Sequence, residues 1–429
     1  MLIEFTVSNF RSIKEPQTLS MLATSLKEHP DNVFQSPDPN IKLLKTEVIY
    51  GANASGKSNL IDGFNVLREL ISMISSNPLT KLKLWDAFAF DRKVNNLPTT
   101  FEIEFFGADK VRYNYKIVYD YSSIKYESLF YYPKGKRAKL FEREDGEKID
   151  FGDSLKGLKG SIAQQLLPNQ VFLNKAANNN NEHLKEVFIA LRALLQSPWN
   201  DYQYLVNQTS ESILMDNSGE LKNKVKELLS SFDTGIQGLS IKTKGGAPFE
   251  IIHGVVKYLK PNADMFEIQT KHKLFDGDTE LEGVEVLFDI ESYGTRRLYG
   301  LGGYILSLMN SGVAIIIDEL NSSFHPLMTE AIIKLFHNPE TNPNNAQLIF
   351  TTHDTSILRN DLFRRDQVWF TEKDGYGATS LFSLAEFDFK EVRKNVPFDK
   401  WYLSGRFGAI PMIMDFNYNT LENEVKEDK

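Results

Sequence analysis

Residues 51–58 read GANASGKS, which matches the spacing G-x-x-x-x-G-K-[ST], and this octapeptide limits the fold more than any other stretch of the chain. It works only where a strand delivers it and a helix carries it away. The residues before it, Glu47 to Tyr50, read as a short buried strand, and an amphipathic helix is expected from Ser58 to about Ser72. Gly51 and Gly56 let the backbone curl so that amide N–H groups point inward. Those amides and the helix N-terminus then face phosphate oxygens. Ala52, Asn53, Ala54 and Ser55 form the body of the curl, and Asn59 follows it into the helix. Lys57 would reach the β- and γ-phosphates of a nucleotide as a point charge, and the Ser58 hydroxyl would ligate Mg²⁺. Without a ligand, the same residues are a glycine-rich β-to-α turn.

A chain of 429 residues can bury a large core and form two or three domain-sized units. Its net charge of −8 argues against coating nucleic acid by bulk charge, though not against a local basic patch. There is no cysteine, so disulfides, thiolate metal sites and cysteine nucleophiles are excluded. No apolar run reaches the roughly 20 residues of a membrane span. The opening MLIEFTVSNFRS lacks a basic segment followed by an apolar one, so no signal peptide is expected, and the cytoplasm is the default compartment.

Alternation at Leu2, Ile3, Phe5 and Val7 predicts a first strand, and His29–Asn40 (HPDNVFQSPDPN) reads as a surface loop. Phe101–Tyr132 reads as an antiparallel meander with aromatic faces, and Gln170–Leu173 as a further β-like segment before an asparagine run, Asn178–Asn181. Glu182–Phe232 is mostly helical, with no heptad pattern long enough for a coiled-coil arm. Strands and turns return from Gly238 to Phe288. After Glu291, helices alternate with strands at Val313–Ile317, Gln347–Thr351, Gln367–Thr371 and Thr379–Ser383, which implies a parallel sheet covered on both faces. The expected division is an N-terminal lobe, 1–175, a helical lid, 176–237, and a C-terminal lobe, 238–429. The tail beyond Asn417 is acidic and expected to fray.

VAIIIDE, residues 313–319, suits a strand buried on both faces, with Asp318 emerging at its carboxyl end, where open α/β sheets place ligands. An acid there can hold Mg²⁺ through water, and Glu319 is the candidate general base that polarises an attacking water. Alone, this would be a strand ending in two solvated acids; together with GANASGKS it reads as the second half of one site. His353, in LIFTTHD, ends another apolar strand and could hydrogen-bond a γ-phosphate or the attacking water. In ESYGTRRL, Ser292, Gly294 and Thr295 stand where a helix should begin, which makes an anion site or simply a capped helix.

The order of phosphate loop, S-x-G-T, apolar-D-E and T-H-D resembles the nucleotide-binding domain of ABC-type ATPases, in the branch of structural-maintenance-of-chromosomes (SMC) and double-strand-break-repair ATPases. The resemblance implies an ABC/SMC-like P-loop ATPase head of α/β class, with a parallel core sheet, an antiparallel β-subdomain and a short helical lid. It further implies that 51–58 is Walker A, 292–295 the signature motif, Asp318 and Glu319 Walker B, 321–325 the D-loop and His353 the switch histidine. Heads of that family dimerise head to tail around ATP, so the cofactors implied are ATP and Mg²⁺. Asn9-Phe10-Arg11-Ser12 resembles that branch's first turn, where an arginine, here Arg11, comes near the nucleotide. Tyr293 and Thr295 depart from the glycine and glutamine of transporters. Gln170 and Asn174 are candidates for a Q-loop.

PTTFEIEF (98–105), IIDELNSSFHP (316–326), IFTTHDTSIL (349–358), RRDQVWFTEKD (364–374) and YLSGRFGAIP (402–411) are also similar to bacterial AAA-type ATPases of abortive-infection, anti-phage systems. That similarity implies a switch that controls a separately encoded effector, a nuclease or toxin, with the chain itself as a homo-oligomer. Two alternatives stay open: an SMC-like ATPase acting on DNA directly, and an ATP-dependent scaffold with little turnover. Asp361, Asp366 and Asp374 read as single solvated acids, so no nuclease activity of the chain's own is expected. The basic clusters Lys134–Lys139, Lys222–Lys226 and Lys271–Lys273 read first as solvated faces and leave DNA contact open.

Overall fold

The structure, a computed structural model, describes residues 1–145, 148–198, 201–244, 249–252, 255–258, 266–387 and 397–411. Two large sheets organise the chain. The first is a six-stranded sheet in the order Leu195–Gln196, Ala314–Ile317, Gln347–Thr351, Thr46–Gly51, Val368–Lys373, Thr379–Ser383. All neighbours are parallel except the last pair. Successive side chains of its strands serve two cores. Ile49, Ala314, Ile316 and Ile349 face one, while Val48, Tyr50, Ile315, Ile317, Leu348 and Phe350 face the other. Continuous apolar runs such as AIII are the sequence mark of that two-sided burial.

The second sheet is antiparallel and seven-stranded, in the order Asp150–Phe151, Ala138–Glu144, Ile124–Tyr131, Arg112–Tyr119, Thr99–Phe106, Leu2–Ser8, Gln17–Ser20. It contains the expected meander, and the first strand joins it through Thr99–Phe106. Between the two sheets runs the helix Lys57–Ser72, which buries Leu60, Ile61, Phe64, Leu67, Leu70 and Ile71. Its Phe64 stacks on Phe5 at 3.9 Å between ring centres, so the helix that leaves the glycine loop is locked against the antiparallel sheet.

Three helices fill Glu182–Ser231, with no coiled-coil arm among the described residues. Glu182–Leu194 packs with the first core through Leu184, Val187 and Leu191. Tyr202–Met215 and Glu220–Ser231 pack with the second through Leu205, Val206, Val225 and Leu229.

Several local expectations are corrected. Gln170–Leu173 is not a strand: a helix spans Phe172–Asn178, because the carboxylate of Glu127 takes the amides of Phe172 (2.7 Å) and Leu173 (2.9 Å) at its start. His29–Asn40 is not all loop, since Val33–Gln35 pairs with Lys42–Leu44. The asparagine run ends in a buried cap: Asn181 accepts from the Leu184 amide and donates to the carbonyls of Lys156 and Leu158. Asp366 is not solvated; it is buried in a two-pronged pair with Arg364, at 2.8 and 2.7 Å. The acidic tail beyond Asn417 lies outside the described residues.

Candidate functional site

Parallel pairing brings the carboxyl ends of three strands together. Ile317 lies opposite Phe350, Thr351 opposite Ile49, and Gly51 opposite Thr371. The segments after these strand ends therefore emerge on one edge of the sheet: Asp318 and Glu319 from one strand, His353 from the next, and the glycine loop from the third.

The loop is held from outside its own segment. Gly56, at φ +109°, adopts a backbone open to glycine, and a Cβ there would collide with the Thr379 side chain. The Ser55 hydroxyl meets Thr371 Oγ1 at 2.6 Å, and Thr379 Oγ1 donates to the Ser55 carbonyl at 2.8 Å. Ser12 joins this group through Thr379 (2.8 Å) and the Asn59 amide (2.6 Å). The helix Lys57–Ser72 starts at Gly56 with no side-chain cap, so no N-cap side chain takes its first amides.

Lys57 is buried, donates to the carbonyls of Gly51 (2.8 Å) and Ala52 (3.0 Å), and among the described residues ion-pairs with no carboxylate. Burial lowers its pKa to about 8, and the fields of Asp318 and Glu319 oppose that fall. Lys57 therefore lies within electrostatic range of the two acids at that edge. Asp318 Oδ1 accepts from the Thr351 hydroxyl at 2.5 Å. Glu319 is exposed and left-handed at φ +53°, with its amide on Thr351 Oγ1 at 2.8 Å. His353 is exposed, and partial desolvation, then Lys57, push its pKa below the ordinary value, against Glu319 and Asp318. The turn that follows Glu319 is tied in by Thr352, whose hydroxyl donates to Asn321 Oδ1 at 2.8 Å.

Ser292 caps the short helix Tyr293–Arg297 by accepting from the Thr295 amide at 3.1 Å. That helix runs on through a π-helical turn, Leu298–Gly302, into Gly303–Met309. Gly294 lies close to the Ser323 carbonyl, and Arg297 donates to the Glu319 carbonyl at 3.2 Å while lying over the Phe324 ring. The signature-like turn and the acidic turn therefore touch within one chain.

Arg11 sits beside the loop's helix but is engaged: its guanidinium pairs with Asp62 and, at 3.2 Å, with Asp86. Gln170 and Asn174 donate to the carbonyls of Ser75 and Ile71, at the far end of a helix whose 16 residues span roughly 24 Å. Neither is placed to be a Q-loop. Sequence reasoning missed Arg297, Thr351, Thr371 and Thr379, and named Ser12 only as the end of the Asn9–Ser12 turn. Thr351 stands within the T-T-H-D stretch, but a threonine in a strand carries no signal of its own.

Ser58 is exposed at the start of the helix, and no donor among the described residues takes Asp318 Oδ2. Two oxygen groups at the edge of a phosphate cradle suit Mg²⁺, which takes few protein ligands and completes its shell with phosphate and water. Among the described residues, no group of three or more His, Asp or Glu could hold a metal ion. Elsewhere, a cavity of about 780 Å³ lined by Thr24, Glu28, Phe34, Lys42 and Arg364 shares no residue with this edge. The basic clusters are partly neutralised: Lys139 by Glu142 and Asp150, Lys224 by Glu220, and Lys273 by Glu280. No helix among the described residues is long and apolar enough to cross a membrane.

Residues 48–359 match the family described as "AAA domain, putative AbiEii toxin, Type IV TA system". No curated protein matches the chain. Among solved structures, the SMC head domain from Thermotoga maritima is 13% identical with a TM-score of 0.41, covering 89% of this chain and 98% of that one. The SmcHead bound to the C-winged helix domain of ScpA is 12% identical with a TM-score of 0.44, covering 91% and 99%. The recombination mediator RecF with ATP is 16% identical with a TM-score of 0.36, covering 89% and 97%.

Proposed function

The chain belongs to the AAA-domain family matched over residues 48–359, and from that premise we propose that it hydrolyses ATP and uses the cycle as a switch in an anti-phage, abortive-infection system. The observation that carries the hydrolytic reading is the strand register that brings the segments bearing Lys57, Asp318, Glu319 and His353 out on one edge of the sheet. Loop amides of 51–58 and the uncapped helix start bind the phosphates, and Lys57 supplies a charge that no carboxylate among the described residues neutralises by pairing. Ser58 and Asp318 would hold Mg²⁺, which when bound offsets phosphate charge. Glu319 accepts a proton from the attacking water as oxygen bonds to the γ-phosphorus and the β–γ bridge breaks, giving ADP and phosphate. His353, whose neutral form desolvation and Lys57 favour, donates an N–H to the γ-phosphoryl oxygen.

Ser292, Gly294 and Thr295 serve a second copy of the chain, each head closing on the nucleotide of the other. The family's description refers to toxin–antitoxin systems, which supports a defence role with a separate nuclease or toxin as the controlled effector. The three-part division 1–175, 176–237 and 238–429 is kept as the working map of lobes and lid. The test is ATP turnover by wild type and Glu319→Gln. Turnover falling about 100-fold or more in the variant, with nucleotide still bound, supports the proposal. Equal inertness of both, with ATP still driving assembly, would leave a scaffold instead, and DNA-stimulated, salt-sensitive turnover would point to DNA as the substrate.

A further inference from the structure

Thr351 is wholly buried at the end of the strand Gln347–Thr351, beside the acidic turn. It binds three consecutive residues of that turn. Its hydroxyl meets Asp318 Oδ1 at 2.5 Å and the Glu319 amide at 2.8 Å, and its carbonyl accepts the Leu320 amide at 3.1 Å. The direction of each bond is fixed by chemistry. An amide N–H can only donate, so the hydroxyl accepts from Glu319. Its single proton must then go to Asp318, which accepts it as the carboxylate. One hydroxyl thus sets both the rotation of the Asp318 carboxylate and the backbone turn that presents Glu319. That turn needs holding, because Glu319 occupies a left-handed conformation that strains a non-glycine residue.

We propose that Thr351 is a positioning residue that aims Asp318 at the magnesium of a bound nucleotide and fixes Glu319 beside it. The proposal rests on the ATP reading above and deepens it. With Oδ1 engaged by Thr351, Oδ2 is the oxygen presented to the cation or to its water. Thr351 touches neither nucleotide nor water and acts through the two acids.

The experiment replaces Thr351 with valine, which keeps the shape and removes the hydroxyl, and with serine, which restores it. The readout is the Mg²⁺ concentration that half-maximally tightens ATP binding, followed by calorimetry, with turnover as a second measure. Thr351→Val is expected to raise that concentration about 10-fold and lower kcat by about 10- to 100-fold, with KM for ATP within about threefold of wild type. Thr351→Ser is expected to restore both. In an Asp318→Ala background, Thr351→Val should add nothing to the Mg²⁺ requirement, because the carboxylate it would aim is gone. A valine variant that folds and keeps the wild-type Mg²⁺ requirement overturns the proposal. If valine prevents folding, the comparison passes to Thr351→Ser and Thr351→Ala, and an equal requirement in these two overturns it as well. The binding readout does not depend on hydrolysis. Loss of turnover in every protein with Mg²⁺-tightened binding intact would strike the hydrolytic reading and leave Thr351 decided.

Discussion

Two helix N-termini in this molecule meet the same electrostatic demand in opposite ways. At Phe172, the exposed ends of the helix amides are taken by the carboxylate of Glu127, a side chain wholly buried in the antiparallel sheet. Tyr115 donates to that carboxylate at 3.1 Å, and Arg143 approaches it at 3.6 Å. At Lys57, no side chain caps the helix, and the nearest cation finds only backbone carbonyls. A helix start offers amide donors and a partial positive charge, and a folded chain either fills it with its own anion or leaves it for one from outside. The chain fills the first internally and leaves the second open, and the open one lies at the sheet edge where Asp318 and His353 emerge.

The contrast can be broken by removing the charge at each end. Glu127→Ala leaves two helix amides without their acceptor and the Arg143 cation, which still donates to the carbonyls of Gln170, Leu167 and Pro168, without its buried counter-charge. It should lower stability by about 3–5 kcal/mol, read by denaturant unfolding, while ATP affinity of the folded fraction stays within about twofold. Lys57→Ala should do the reverse. Unfolding should shift by no more than about 1 kcal/mol, and ATP affinity measured by calorimetry should fall about 100-fold, because the phosphates lose the side-chain cation of their own loop. If Lys57→Ala binds ATP as wild type does, the open helix start is not the nucleotide site.

The open end was legible in the sequence and the filled one was not, for a physical reason. GANASGKS, the run VAIIIDE and LIFTTHD are local patterns: apolar strands buried on both faces, ending where glycine, acid or histidine begins. Their strand pairing followed from the alternation of strand and helix. Gln170–Leu173, by contrast, looks β-like, and what makes the helix that starts at Phe172 is an acid 45 residues earlier in the chain. Asp366 was unreadable in the same way. Its burial depends on Arg364 and on the Thr24 amide, which donates to it at 2.8 Å from the other end of the chain. The hydroxyls of Ser12, Thr371 and Thr379 that brace the loop carry no marker either, since serine and threonine are ordinary in strands and turns. Arg11 shows the converse: a suggestive local motif whose side chain is engaged by Asp62 and Asp86.

The smallest effect sharpens the comparison most, because it titrates the open end without altering it. Lys57 has a pKa lowered to about 8, chiefly by burial, with the acids opposing. A phosphate arriving beside it favours the charged form, so binding must raise that pKa and take up a proton where the free lysine is partly neutral. The sign of the pH dependence is then set. Below about pH 7 the lysine is already charged and affinity is flat; above pH 8 each further rise adds the cost of protonating it to the binding free energy. Between pH 7 and pH 9 the Kd for ATP should weaken by up to about 10-fold. Calorimetry at pH 8 in buffers of different ionisation enthalpy should register the proton uptake. Lys57→Arg, charged throughout this range, should bind with a flat profile even if its affinity is lower. A wild-type profile equally flat would mean that the lysine is not where the phosphates add their charge, and the distinction drawn between the two helix ends would lose its chemical meaning.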